Sequence, residues 1–239
     1  MDRKAVFERL NPLHLDHARC FVTSGAGVLV HGVPLEKGSV KQIDLVVSPK
    51  YFEELSQKHG VLPQSYRKPT EVAIAPGVIA SSRHWDTLSR AVESVQFDKK
   101  ASGSVSLPVL RPGKLLHYID NIEGLVETPV SDSLRAHVGR IMADCKSSGH
   151  TDRQIGDRLG LSDQAIPILA NRVLAIKRSE WHSMGKPSPR AIVDKLEETD
   201  YNWGAVEQAF FPGKRSPKSR LMKILKGSPE WEAAKHKGS

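Results

Sequence analysis

Ile43-Asp44-Leu45-Val46-Val47 is a short run, β-branched and apolar but for one carboxylate, and it stops at Ser48-Pro49. Such a run reads as a buried strand, and the segments around it have to be arranged with that strand inside a sheet. Ahead of it, Phe21-Val22-Thr23-Ser24-Gly25-Ala26-Gly27-Val28-Leu29-Val30-His31-Gly32 mixes apolar with small residues. That mixture suits a strand end, a tight turn and a close-packed helix, with Gly32 as its C-terminal cap. Behind it, Tyr51 to His59 has helical spacing, with Phe52 and Leu55 on one face and Gly60 as the stop.

The alternation continues. Glu71-Val72-Ala73-Ile74-Ala75 reads as a second strand ended by Pro76-Gly77, and Trp85, Leu88, Ala91 and Val92 recur at helical spacing. Val105 to Leu110 reads as a strand around Pro108, and Leu115, Leu116, Tyr118, Ile119 and Ile122 as an amphipathic helix after Pro112. Residues 1–20 read as a short helix and connection, or as a loose arm. Strands alternating with helices predict an α/β domain with a mixed sheet. Beyond Thr128-Pro129 strand signals almost vanish, and helix patterns are separated by Gly, Pro and Ser breaks. We therefore expect an α/β domain over residues 1–130 and an all-α region over 131–239.

The 39% of apolar residues can supply a real core, and no stretch approaches the roughly 18 consecutive apolar residues of a membrane helix. Met1-Asp2-Arg3-Lys4 leads into no apolar signal region, so the expectation is a cytoplasmic protein without a membrane partner. Cys20 and Cys145 have no metal-ligand or C-x-x-C spacing and read as reduced core thiols. The formal charge of +8 and the pI near 9.5 favour a polyanionic partner, since cations set against phosphates release counterions. Most of the excess lies in residues 211–239, where Lys214, Arg215, Lys218, Arg220, Lys223, Lys226, Lys235 and Lys237 face only Glu230 and Glu232.

Ser24-Gly25, His31-Gly32 and Ile43-Asp44-Leu45-Val46-Val47-Ser48-Pro49 together resemble the nucleotidyltransferase-fold proteins of bacterial abortive-infection and toxin-antitoxin systems. In that family a Gly-Gly or Gly-Ser turn precedes a strand bearing Asp-x-Asp, and a third carboxylate lies on a following strand. Carboxylates at i and i+2 project from one strand face, so they can hold the Mg²⁺ ions that orient a nucleoside triphosphate. The resemblance places Ser24 and Gly25 at the phosphate turn, Asp44 at the second carboxylate, and Glu71 as the candidate third. Gln42 stands where the first carboxylate belongs, and a neutral amide oxygen is a poor Mg²⁺ ligand. The resemblance thus implies the fold, with Mg²⁺ and a nucleoside triphosphate as cofactors only if the site is active. The plain reading of Asp44 is a strand-end residue bonded to its neighbours; Lys37 and Lys41 read as solvated loop charges, with phosphate contact as the alternative.

Thr151 to Ile166 resembles the helix-turn-helix of transcription regulators and sigma-factor-type domains. Thr151 and Gln154 form a capping box, Ile155 and Leu159 an apolar i, i+4 pair, Gly160 the turn, and Ser162 the next cap. Leu134, Val138, Ile141, Met142 and Cys145 supply a supporting helix. Asp163, Gln164 and Pro167 would lie on the exposed side of the recognition helix, with Arg172 further along it. Pro167 inside that helix implies a kink or a later start. A bundle that only packs against the first domain is the alternative.

Tyr201-Asn202-Trp203-Gly204 and the basic run after it resemble the short helix-turn-helix of bacterial enhancer-binding regulators, where an Asn-Trp segment starts one helix and a second presents Arg and Lys. Lys214, Arg215, Lys218, Arg220 and Lys223 surround the stripe Leu221, Ile224 and Leu225, which suits phosphate contact or a solvated amphipathic helix. Trp181, Trp203 and Trp231 read as core anchors. Together these features lead us to expect a nucleic-acid-binding pseudoenzyme, with DNA favoured over RNA, such as a phage or mobile-element regulator of transcription or replication. The alternatives are an active, toxin-like Mg-dependent nucleotidyltransferase modifying RNA or protein, and a protein-binding adaptor.

Overall fold

The computed structural model describes residues 1–60, 70–99, 103–124, 128–211 and 217–235. Contacts group the chain into two compact units, one of residues 1–144 and 151–181, the other of 145–150 and 182–239. The grouping differs from the composition shift near residue 130, because the helices of residues 151–181 are gathered with the sheet.

In the first unit α1 (Arg3–Leu10) leads to β1 (Cys20–Val22), α2 (Ser24–Val30), β2 (Ile43–Val47) and α3 (Pro49–Lys58). Then come β3 (Glu71–Ala75), β4 (Val78–Ser81), α4 (Trp85–Leu88), β5 (Val92–Lys99), β6 (Gly103–Leu110) and α5 (Pro112–Asn121). The strands form a six-stranded sheet in the order β3-β4-β2-β1-β6-β5. It is mixed: β1 runs parallel to β6 and β2 to β4, while β1/β2, β3/β4 and β5/β6 are antiparallel. The expected α/β class with a mixed sheet and a mostly helical remainder is thus what the chain adopts.

Two expectations within the sheet domain need correction. Val92 starts β5 instead of ending a helix, because Val92 to Lys99 pairs along its length with β6 while only Trp85–Leu88 is α-helical. Ile122 lies past the end of α5 and is 38% exposed, so it does not continue that helix's buried face.

β2 sits inside the sheet with Ile43, Leu45, Val46 and Val47 buried, which explains its run of branched apolar residues. Val6, Phe7 and Leu10 of α1 and Tyr51, Phe52 and Leu55 of α3 belong to the same core cluster. Cys20 and Cys145 are both buried, and burial pushes the Cys20 thiol up to about 12.

Beyond the sheet run α6 (Pro129–Ser147), α7 (Asp152–Leu159), α8 (Ile166–Leu174) and α9 (Arg178–Ser183). The Thr151 hydroxyl accepts from Gln154 N–H while Gln154 Oε1 accepts from Thr151 N–H, so the capping box is formed as its sequence requires. Gly160 closes α7 at φ 73°, the left-handed region glycine enters without strain. Pro167 lies in the first turn of α8, where its missing N–H costs no helical bond, so the helix starts later and has no need of a kink. Pro167 is buried, which corrects its expected place on the exposed side.

The second unit holds α10 (Pro189–Glu198), α11 (Trp203–Phe210), α12 (Pro217–Leu225) and α13 (Pro229–Ala234). Their apolar faces meet in a core of Ile192, Val193, Leu196, Val206, Leu221, Leu225 and Ala234. The Asn202 side chain caps α11 by accepting from Ala205 N–H, and Ser228 caps α13 by accepting from Trp231 N–H. Among the described residues no helix is long and apolar enough to cross a membrane.

Candidate functional sites

The chain leaves β1 and turns at once into α2, and the turn is strapped to β2. Thr23 N–H donates to the Asp44 carbonyl at 2.9 Å, and the Thr23 hydroxyl donates to the same oxygen at 3.2 Å. Ser24 then takes φ 54°, a left-handed conformation that an L residue holds only under strain. Gly25 is needed for space: a Cβ there would stand 2.8 Å from Val40 Cγ2.

This turn forms one wall of a cavity of about 630 Å³ whose lining includes Ser24, Gly25, Gln42, Asp44, Glu71 and Glu123. The four residues expected at the nucleotidyltransferase-like site, Ser24, Gly25, Asp44 and Glu71, therefore share one hollow. Sheet register explains how Glu71 reaches it. Glu71 pairs with Ser81, and Ser81 with Val46, two residues along β2 from Asp44 and so on its face. Two strand spacings and one two-residue step separate their Cα atoms by roughly 12 Å.

Those acids are not gathered as metal ligands. Among the described residues no group of three or more His, Cys, Asp or Glu side chains is placed to hold a metal ion. The Gln42 side-chain amide donates to Asp44 Oδ1 at 2.7 Å, so the residue at the first-carboxylate position spends its donor on the second. A pair of Mg²⁺ ions does not fit this donor set, since hard cations need several charged oxygens.

Sequence reading missed Glu123 and Tyr118 at this site. The Ser24 hydroxyl donates to Glu123 Oε1, a bond between residues 99 positions apart that no local pattern signals. Burial, with the charge of Asp44 beside it, lifts the Glu123 carboxyl to about 6, against the hydrogen bond from Ser24 that lowers it. Glu123 Oε2 is buried and has no hydrogen-bond partner among the described residues. Tyr118 read simply as part of an apolar run, yet it lines the same hollow, and burial together with nearby Glu123, Asp44 and Glu71 pushes its phenol up to about 12.

The candidate nucleic-acid contacts fall in two places. Gln164 is exposed in the turn just before α8, and its N–H is held by Asp163 Oδ1 at 2.8 Å. Arg172, on α8, is exposed but ion-paired: its Nη2 lies 2.5 Å from Asp120 Oδ2, on a side chain that is wholly buried. Arg135 and the Ser131 hydroxyl meet the same carboxylate, so α5, α6 and α8 are tied at one point. A Cβ at Gly113 would stand 2.8 Å from Leu159 Cβ, so α5 and α7 also touch closely. The helix pair after Thr151 thus packs on the sheet domain.

In the second unit Lys218, Arg220 and Lys223 are exposed along α12. Lys214 and Arg215 lie outside the described residues. Lys218 Nζ sits 5.2 Å over the Trp203 ring, and Trp203 meets Trp231 edge to face at 5.9 Å. These two tryptophans are partly buried on the apolar core, whereas Trp181, in the first unit, is fully buried with its indole N–H on Asp152. Charge pairing separates α12 from its neighbours. Arg190 pairs with Asp194, Lys195 with Glu198 and Lys235 with Glu232, while Lys218, Arg220 and Lys223 have no acidic partner among the described residues.

Comparison with protein-family models, curated proteins and solved structures gave no match.

Proposed function

We propose that this chain binds nucleic acid, in the first instance DNA, through the basic face of α12, and that its sheet domain is a nucleotidyltransferase-like scaffold whose metal site is degenerate. The observation that carries the reading is the charge of Lys218, Arg220 and Lys223, which have no acidic partner among the described residues, on one short helix anchored in the core by Leu221 and Leu225. A helix so anchored presents its cations rigidly, and unpaired cations on a fixed surface are what a phosphate backbone neutralises. The Asn202 cap and Trp203 set α11 against α12, in the order found in the regulators that this segment resembles.

Fluorescence anisotropy with labelled duplex DNA, single-stranded DNA and RNA tests the reading. Binding that weakens steeply with salt and is lost on joint reversal of Lys218, Arg220 and Lys223 to Glu supports it. Affinity that survives the reversal removes α12 from the function.

One observation favours a second reading: Ser24, Gly25, Asp44 and Glu71 do line a single cavity. Nucleotide transfer would appear as incorporation of label from nucleoside triphosphates with Mg²⁺ that vanishes in Asp44→Ala. Absence of any incorporation leaves the domain as a scaffold.

A further inference from the structure

The turn at Ser24 already holds an anion, and it belongs to the chain itself. The Ser24 hydroxyl donates to a carboxylate oxygen of Glu123, brought in from just beyond the end of α5. We infer that Glu123 is an internal competitor for this turn, a contact that keeps it closed to phosphate-bearing ligands until the carboxylate is displaced.

Four features separate this contact from an ordinary structural hydrogen bond. First, among the described residues only one oxygen of the carboxylate has a partner; Glu123 Oε2 is buried without one, a cost that a bond serving stability alone would avoid. Second, the donor is held in a strained backbone conformation, with Ser24 at φ 54°. Third, the like charge of Asp44 acts on the same carboxylate and disfavours its ionised form. Fourth, Lys41 and Arg83 line the cavity, and neither has an acidic partner among the described residues. An incoming phosphate would accept the Ser24 hydroxyl in place of Glu123 and bring acceptors to those two cations. The seat's present occupant shows what it accepts, a compact acceptor with negative charge.

The inference does not depend on nucleic-acid binding by α12, so either can fail while the other stands. It is tested by calorimetric titration of inorganic pyrophosphate, and separately of ATP, into the wild-type chain, Glu123→Gln and Glu123→Ala at pH 8, with thermal melts to show that each variant is folded. Glu123→Gln removes the charge at constant size, and Glu123→Ala empties the seat even if a glutamine amide would hold the hydroxyl. Both are expected to bind pyrophosphate at least about tenfold more tightly than wild type, since a like charge next to the ligand has been removed. Adding Ser24→Ala to Glu123→Ala should cancel the gain. If ATP gains as pyrophosphate does, the seat reads phosphate alone; a larger gain for ATP extends the ligand to the nucleotide. Equal or weaker pyrophosphate binding in both Glu123 variants, no binding to any of the proteins, or a gain that persists without the Ser24 hydroxyl would overturn the inference.

Discussion

Asp120 and Arg172 stand 2.5 Å apart, the carboxylate wholly buried and the guanidinium partly exposed, and they join the helix that follows the sheet to the helix expected to read DNA. Arg135 lies 3.6 Å from the same oxygen, and Ser131 donates to the other at 2.6 Å. Removing the acid leaves two guanidinium groups without their shared partner. Asp120→Ala is expected to destabilise the first unit by about 1–3 kcal/mol, the range for losing charge-assisted hydrogen bonds to partners that water can still reach. Arg172→Ala should cost less, because Arg135 and Ser131 remain. Thermal melting checks both. If Arg172→Ala leaves the midpoint unchanged but weakens DNA binding, Arg172 acts as a phosphate contact and not as a tie between helices.

Salt dependence gives a sharper measure of α12 than affinity alone. Each phosphate neutralised on duplex DNA contributes roughly 0.9 to the slope of log K against log salt. Lys218, Arg220 and Lys223 replaced together by Gln should therefore flatten that slope by about 2–3. The measurement is anisotropy between about 50 and 200 mM salt. A slope that does not move would place the phosphates elsewhere on the chain.

Gly156 tests how tightly the turn after α7 is folded back on its own helix. A Cβ there would meet the Leu161 carbonyl oxygen at 2.6 Å, and a backbone atom cannot rotate away. Alanine normally favours a helix over glycine by about 1 kcal/mol, yet here the clash dominates. Gly156→Ala is expected to destabilise by about 1–3 kcal/mol in chemical denaturation, the range for overpacking. A stabilised variant would mean that the turn opens at little cost.

The legible parts of this chain are those with local causes. The run from Ile43 to Val47 announces its burial because a strand covered on both faces must be apolar throughout. Thr151 and Gln154 announce a helix start because the capping box spans only four consecutive residues. β5 was not legible: its pairing with β6 overrides the helical spacing that Trp85 to Val92 shows. Asp44 and Glu71 were both legible as candidates, but their shared face depends on register, which is fixed between strands and not within one. Glu123 was invisible, because what makes it part of the site is a single bond across 99 residues. The ion pair of Arg172 was hidden for the same reason, its partner Asp120 lying 52 residues away.

Glu123 also makes stability depend on pH in a direction opposite to most carboxylates. Its folded-state carboxyl titrates at about 6, raised from 4.5, so folding favours the protonated form. The contribution is fully present below pH 4.5 and is lost as pH rises through about 6. Glu123→Gln, which cannot ionise, keeps it throughout. The melting midpoint of Glu123→Gln should therefore match the wild type near pH 4.5 and exceed it by a few degrees at pH 7.5, the gap opening around pH 6. Discounted for solvent at a partly exposed group, the effect is about 1 kcal/mol, or roughly 2–4 °C for a chain of this size. Parallel melts from pH 4.5 upward measure the gap directly. A gap that is constant across that range, or that closes as pH rises, would show that Glu123 is an ordinary solvated carboxylate and that its bond to Ser24 does not hold it in a buried place.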